Sequence, residues 1–130
     1  MIKVYPIVLS PTGKGYVVSV PDLNINTQGK DIAEAIFMAR DAIGLWGITE
    51  QDDGKAIPEP SETIPPHKAN ELVSWVDIDF DVYRRANDMR AVRKNLTIPG
   101  WLNERAEKAG VNFSQVLQEG LKTHLGIKQP

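Results

Sequence analysis

The chain has 130 residues, 42% apolar and 25% charged, the balance of a globular protein, and it has no cysteine for a disulfide, a zinc knuckle or a thiol nucleophile. No apolar run approaches the ~18 residues of a membrane span, and Met1-Ile2-Lys3-Val4-Tyr5 enters strand-like sequence without a signal-peptide pattern, so a cytoplasmic protein is expected. The net charge of −2 conceals a division, 6 Lys/Arg against 13 Asp/Glu in residues 1–83 and 9 against 4 in residues 84–130, which suits a basic partner for the first part and a polyanion for the second.

Residues 2–9 and 15–20 read as strands, rich in Val, Ile and Tyr. Ser10-Pro11-Thr12-Gly13-Lys14 between them is turn chemistry, since proline fixes φ and glycine tolerates positive φ. Pro6 lacks an N–H, which predicts that its stretch lies at a sheet edge or that pairing begins after it. Pro21-Asp22 ends the second strand, and a short third strand is predicted from Asn24 to Thr27. Asp31 stands three residues before Glu34, a capping box for a helix that begins at Ile32. Ile32, Ala35, Ile36, Ala39, Ile43 and Trp46 follow helical spacing and define its apolar face. Gly44 and Gly47 are expected to mark its end, while Phe37 and Met38, off that face, either widen the core or meet a partner, the first being expected.

Residues 48–70 read as irregular, with Pro58, Pro60, Pro65, Pro66 and the acidic stretch Glu50-Gln51-Asp52-Asp53. A loop of that length inside a domain is usually functional or mobile. Periodicity returns at 71–80, where Leu72, Val76, Ile78 and Phe80 share one strand face and Glu71, Asp77 and Asp79 the other. Residues 1–80 therefore predict β-β-β-α-loop-β, an α+β domain with its helix on one face of a small sheet. Residues 81–90 fit either a short connecting helix or an extended linker.

Residues 91–130 carry a different pattern. Arg93, Asn95 and Thr97 alternate with Lys94, Leu96 and Ile98, so a strand here presents three hydrogen-bonding side chains on one face. Pro99 suits the first turn of a helix, Leu102, Arg105, Ala106 and Ala109 continue it, and Gly110 is placed to end it in a left-handed conformation. Asn112, with Gln115 three residues on, caps a second helix whose expected buried stripe is Val116, Leu117, Gly120, Leu121 and Leu125. Gly120 costs about 1 kcal/mol against Ala in an exposed helix, which points to close approach of another helix. A strand and two helices of this size bury too little to fold alone, and a lone strand leaves its backbone unpaired. Pairing with the same strand of a second chain answers both needs, and a two-stranded ribbon fits the DNA major groove.

The stretch Arg93-Lys94-Asn95-Leu96-Thr97-Ile98-Pro99, followed by Gly110-Val111-Asn112-Phe113-Ser114, resembles the ribbon-helix-helix repressors. The resemblance implies a β-α-α dimerisation domain in which Arg93, Asn95 and Thr97 read bases, and in which Asn112, Phe113 and Ser114 hold a phosphate through backbone N–H groups. Thr97 is a short reader where some relatives carry Arg, and Lys94, on the inward side, is placed either to snorkel or to touch a phosphate. Upstream, Gly15-Tyr16-Val17-Val18-Ser19-Val20-Pro21-Asp22-Leu23, then Thr27-Gln28-Gly29, Glu34-Ala35 and Ile57-Pro58-Glu59-Pro60-Ser61 resemble the HicB antitoxins. That resemblance implies a partial RNase H-like β-β-β-α-β domain that binds a small basic mRNA-cleaving toxin, HicA. It also implies a C-terminal domain that represses the toxin–antitoxin operon by binding operator DNA. Asp22, Trp75, Asp77 and Asp79 are the residues expected to meet the toxin.

Two-metal hydrolysis needs several converging carboxylates, but Asp22 sits at a turn, Asp31 caps a helix and Asp77 and Asp79 belong to a solvated face, so no catalysis is expected. His67 and His124 are isolated, and neither a metal nor a cofactor is expected. Trp75, on the polar side of its strand, is either a partner anchor or covered by the 48–70 loop. Trp101 is expected between domains, and His124 as a structural or exposed residue. The alternative function is a stand-alone repressor whose first domain senses a small ligand.

Overall fold

The structure, a computed structural model, describes residues 1–127. Alternating apolar residues form β1 (Ile2–Thr12), β2 (Gly15–Val20), β3 (Ile25–Gly29) and β4 (Leu72–Asp79), an antiparallel sheet in the order β3-β2-β1-β4. Four helices follow or interrupt it: α1 (Ile32–Asp52), α2 (Phe80–Ala86), α3 (Gly100–Lys108) and α4 (Phe113–Leu125). The architecture is mixed α+β, and Met1–Arg90 forms one compact unit while the chain from Ala91 forms a second. Among the described residues no helix is long and apolar enough to cross a membrane.

In the first unit β2 and β4 bury alternate residues on the side that α1 covers, while the middle of β1, Tyr5 to Leu9, is buried on both faces. Tyr5, Ile7 and Leu9 of β1, Val18 and Val20 of β2, and Val76 and Ile78 of β4 are buried together with Ala35, Ala39 and Ile43 of α1. Ile36 and Trp46 pack against this cluster. Ile32, expected on the same face, is exposed, because it lies in the first turn of the helix. Phe37 is also exposed, at 64%, so it does not widen the core.

Pro6 lies in a central strand, yet its missing N–H is accommodated. β1 pairs with β4 from Ile2↔Asp79 to Leu9↔Leu72, whereas its pairing with β2 runs only from Val8↔Ser19 to Thr12↔Gly15. At Pro6 the strand thus has one neighbour, and pairing on the other side begins after it.

Asp31 caps α1 by accepting from the Glu34 N–H at 2.8 Å, and Glu34 Oε1 reaches back to the Lys30 N–H at 3.1 Å. The helix does not end at Gly44 or Gly47; it continues to Asp52. Both glycines are places where α2 approaches closely. A Cβ at Gly44 would lie 2.5 Å from Tyr83 Cδ2, and one at Gly47 would lie 2.1 Å from Phe80 Cε1. The true stop is Gly54, at φ +76, so the irregular stretch is shorter than residues 48–70.

That stretch is held down. The Tyr5 hydroxyl donates to the Pro58 carbonyl at 2.6 Å, Lys3 pairs with Glu59 at 2.6 Å, and Ile57 is buried in the core. The Ser61 N–H and hydroxyl both donate to the Asp22 carboxylate, each at 2.7 Å. At its far end Glu71 accepts from the Lys68 N–H at 2.7 Å and from the Ser10 hydroxyl.

Residues 80–86 resolve the open choice after β4 in favour of a helix. Asp79 caps it through the Asp81 and Val82 N–H groups at 3.0 and 3.2 Å. Arg84 reaches across to Asp52 of α1 at 2.9 Å and Gln51 at 3.1 Å.

Candidate functional site

The second unit is built around the turn between its helices. Pro99 stands as the residue before α3 rather than inside it, and Gly110 adopts φ +67, the left-handed value expected at the end of α3. Asn112 caps α4 by accepting from the Gln115 N–H at 3.1 Å. The next residues, Phe113 and Ser114, open the helix, where the first N–H groups lack partners within it. An anion is stabilised at such a position.

Residues 87–99 form neither helix nor ladder in the single chain, so the strand predicted at 93–98 has no partner here. Even so, the alternation is visible. Lys94, Leu96 and Ile98 line a cavity of about 770 Å³ together with Leu102, Val116 and Leu117. Arg93, Asn95 and Thr97 are exposed and lie outside its walls. The structure thus separates a hydrogen-bonding face from an apolar one, with Lys94 on the apolar side.

Neither α3 nor α4 has a buried residue. The stripe of Val116, Leu117, Leu121 and Leu125, expected to be buried, is 38–67% exposed, and a Cβ at Gly120 would meet nothing within 4 Å. Among the described residues of the second unit, nothing covers them. Trp101 is exposed too, with the Arg105 guanidinium 5.7 Å above its ring. His124 is exposed.

In the first unit the sheet presents a second face, away from α1. Register puts Ile2 opposite Asp79, Val4 opposite Asp77 and Pro6 opposite Trp75, so Trp75, Asp77 and Asp79 share a face with Ile2 and Val4. Of the four residues expected to meet a partner, three are engaged internally. Asp22 holds Ser61, Asp77 pairs with Arg40 at 3.0 Å, and Asp79 caps α2. The Val82 N–H is the chief reason the Asp79 carboxyl lies below the ordinary carboxylate value.

Trp75 is 43% exposed and borders a groove of about 430 Å³ shared with Ile2, Lys3, Val4 and the segment Glu59-Pro60-Ser61-Glu62. The loop therefore meets Trp75 without covering it. Sequence reasoning missed Ile2, Val4 and Glu62. The first two were legible as the alternate set to Tyr5 and Ile7, whereas the path that brings Glu62 beside them has no local signal. Among the described residues, no group of three or more His, Cys, Asp or Glu side chains converges to hold a metal. His67 Nδ1 is 2.9 Å from the Pro65 carbonyl oxygen.

Known proteins resemble this chain over most of its length. A family model described as the HicB-like antitoxin of bacterial toxin–antitoxin systems matches residues 5–119. A 14.9 kDa protein encoded in the rep–hol intergenic region of Haemophilus phage HP1 is 30% identical over 109 residues, covering 80% of this chain and 79% of the phage protein. Among solved structures, a chain of a toxin–antitoxin complex from Streptococcus pneumoniae aligns with a TM-score of 0.58 at 24% identity, over 95% of this chain and 99% of that one. The antitoxin HicB of Burkholderia pseudomallei aligns with a TM-score of 0.53 at 22% identity, over 91% and 95% of the two chains. These two likenesses are of fold.

Proposed function

The chain belongs to the HicB-like antitoxin family of bacterial toxin–antitoxin systems, and from that premise we propose that it masks a small basic toxin of the HicA type and represses its own operon. The first unit, read as a partial RNase H-like domain, captures the toxin. The second unit dimerises as a ribbon-helix-helix and binds operator DNA.

The observation that carries this reading is the uncovered apolar side of the second unit, where neither α3 nor α4 buries a residue. A unit of this size without a core of its own gains stability only from a partner surface. A second copy supplies one, and its 93–98 strand would satisfy the backbone that the single chain leaves without a ladder. Pairing the strands through their backbones, with Leu96 and Ile98 turned onto the helices, would leave Arg93, Asn95 and Thr97 outward on a two-stranded ribbon, the form that enters the major groove. Lys94 and the Asn112–Ser114 turn would hold phosphates. The acidic balance of residues 1–83 favours a basic protein and speeds encounter with it at low salt.

Co-expression with the product of the adjacent small open reading frame tests the proposal. The expected result is a co-purified complex and rescue of growth. A neighbour that is neither toxic nor retained by this chain would overturn the toxin-masking role.

A further inference from the structure

The face of the sheet opposite α1 carries a groove that nothing in the first unit fills, with apolar side chains on its floor and the charged side chains of Lys3, Glu59 and Glu62 beside them. Its floor is Ile2 and Val4 of β1 with Trp75 of β4, exposed at 67%, 44% and 43%. One wall is the Glu59–Glu62 segment, which does not hang free: Pro58, Glu59 and Ser61 are tied to Tyr5, Lys3 and Asp22. The groove is therefore pre-formed, which lowers the ordering cost of binding. An exposed Trp beside aliphatic side chains in a fixed concavity has the make-up of a binding hot spot.

Charge decides what the groove accepts. Glu62 has no ion-pair partner among the described residues, and Asp77, across from Val4, keeps 70% of its side chain exposed while paired to Arg40. Glu59 is 85% exposed on one side of its pair, whereas the Lys3 side chain opposite is only 11% exposed. The carboxylates thus face solvent while Lys3 is withdrawn beneath them. Coulomb complementarity favours a cation at the rim, and the Trp75 ring attracts one further.

We infer that the groove between the start of β1, Trp75 and the 59–62 segment is where the toxin docks, taking an apolar side chain flanked by Lys or Arg. This rests on the antitoxin reading above and assigns the surface on which it is carried out.

The probe is the purified product of the adjacent open reading frame, titrated by calorimetry into the full chain at low and high salt. Trp75→Ala is expected to weaken binding at least tenfold and Val4→Lys similarly, since a cation is placed where an apolar group must sit. Glu62→Lys is expected to weaken binding several-fold at low salt and to flatten its salt dependence. Phe37→Ser, on the solvent side of α1, serves as a control and leaves affinity unchanged. Val4 and Glu62 are exposed, so their variants keep the test decisive if Trp75→Ala fails to fold. Full affinity in folded Val4→Lys and Glu62→Lys overturns the groove and leaves the antitoxin reading standing. No binding by the unaltered chain overturns both.

Discussion

Gly47 of α1 and the ring of Phe80 in α2 are interlocked: a Cβ added to the glycine would stand 2.1 Å from Cε1 and 2.7 Å from Cδ1 of the phenylalanine. Phe80 is fully buried, so its ring cannot retreat into solvent. Alanine gains about 1 kcal/mol over glycine within a helix, but overpacking a filled core costs about 1–3 kcal/mol. With the approach this close, the second effect wins. Gly47→Ala is expected to lower the urea midpoint, and an unchanged or raised midpoint would show that the two helices part freely.

Gly120 offers the opposite case. In one copy a Cβ there meets open space, so Gly120→Ala in an isolated chain should stabilise α4 by about 1 kcal/mol. If a second copy packs against this position, the same methyl weakens the assembly. Sedimentation of the full-length variant is expected to show a weaker dimer than the parent. An equally strong or stronger dimer would place the helix–helix contact elsewhere.

Asp22 accepts both hydrogen bonds that Ser61 offers. Asp22→Ala leaves that end of the 57–62 segment untied and removes charge-assisted bonds worth roughly 1.5–3 kcal/mol each at most. Because Asp22 is half-buried, the net loss expected is about 1–2 kcal/mol. Limited proteolysis should then cut between Ala56 and Ile64 sooner, and no change in cleavage would count against the tether.

Acid should weaken the first unit, and the sign follows from two carboxyls. The Lys68 N–H, with the Ser10 hydroxyl, holds Glu71 below its ordinary value of 4.5. The Val82 N–H, joined by the Met1 ammonium, holds Asp79 below 3.8. A carboxyl with a lower pKa folded than unfolded adds stability that is complete above the unfolded value and lost as pH falls through the folded one. The urea midpoint is expected to hold level down to about pH 5 and to drop below it. Glu71→Gln should lessen that drop, and an identical acid profile would remove Glu71 from the account.

Operator binding should depend on the exposed face of residues 93–97. If Arg93 reads a guanine, Arg93→Ala costs about 1–3 kcal/mol of operator affinity and relaxes preference at one base pair. Replacing Lys94, as a phosphate contact, should weaken all sequences alike and reduce the salt slope by about one. Anisotropy titrations at several salt concentrations separate the two. Equal affinity of Arg93→Ala and parent for the operator would reassign the reading face.

Local chemistry was the legible part of this chain. Asp31, Gly110 and Asn112 act where side-chain caps and a left-handed stop predict them, because each effect spans four residues or fewer. The strands of the first unit were legible in outline, although β1 continues to Thr12 through residues read as a turn and β3 spans Ile25–Gly29 rather than Asn24–Thr27. Gly44 and Gly47 misled for a physical reason: a glycine that ends a helix and one that admits a neighbouring ring look alike in sequence, and only the position of Phe80 and Tyr83 tells them apart. For Phe37 the spacing allowed either core or partner contact, and its exposure removes the first, because helical periodicity alone does not say how wide a face the sheet covers. The groove beside Trp75 was half legible, since the strand residues alternate visibly while the path of the proline-rich loop is set by distant contacts with Tyr5 and Asp22.

Asp79 is at once the last residue of β4 and the cap of α2, so the sheet passes into that helix without slack. The Phe80 N–H still donates to the Met1 carbonyl at 3.1 Å, while the rings of Phe80 and Tyr83 sit against Gly47 and Gly44 of α1. One residue thus closes the last rung of the sheet and seats the first turn of the next helix.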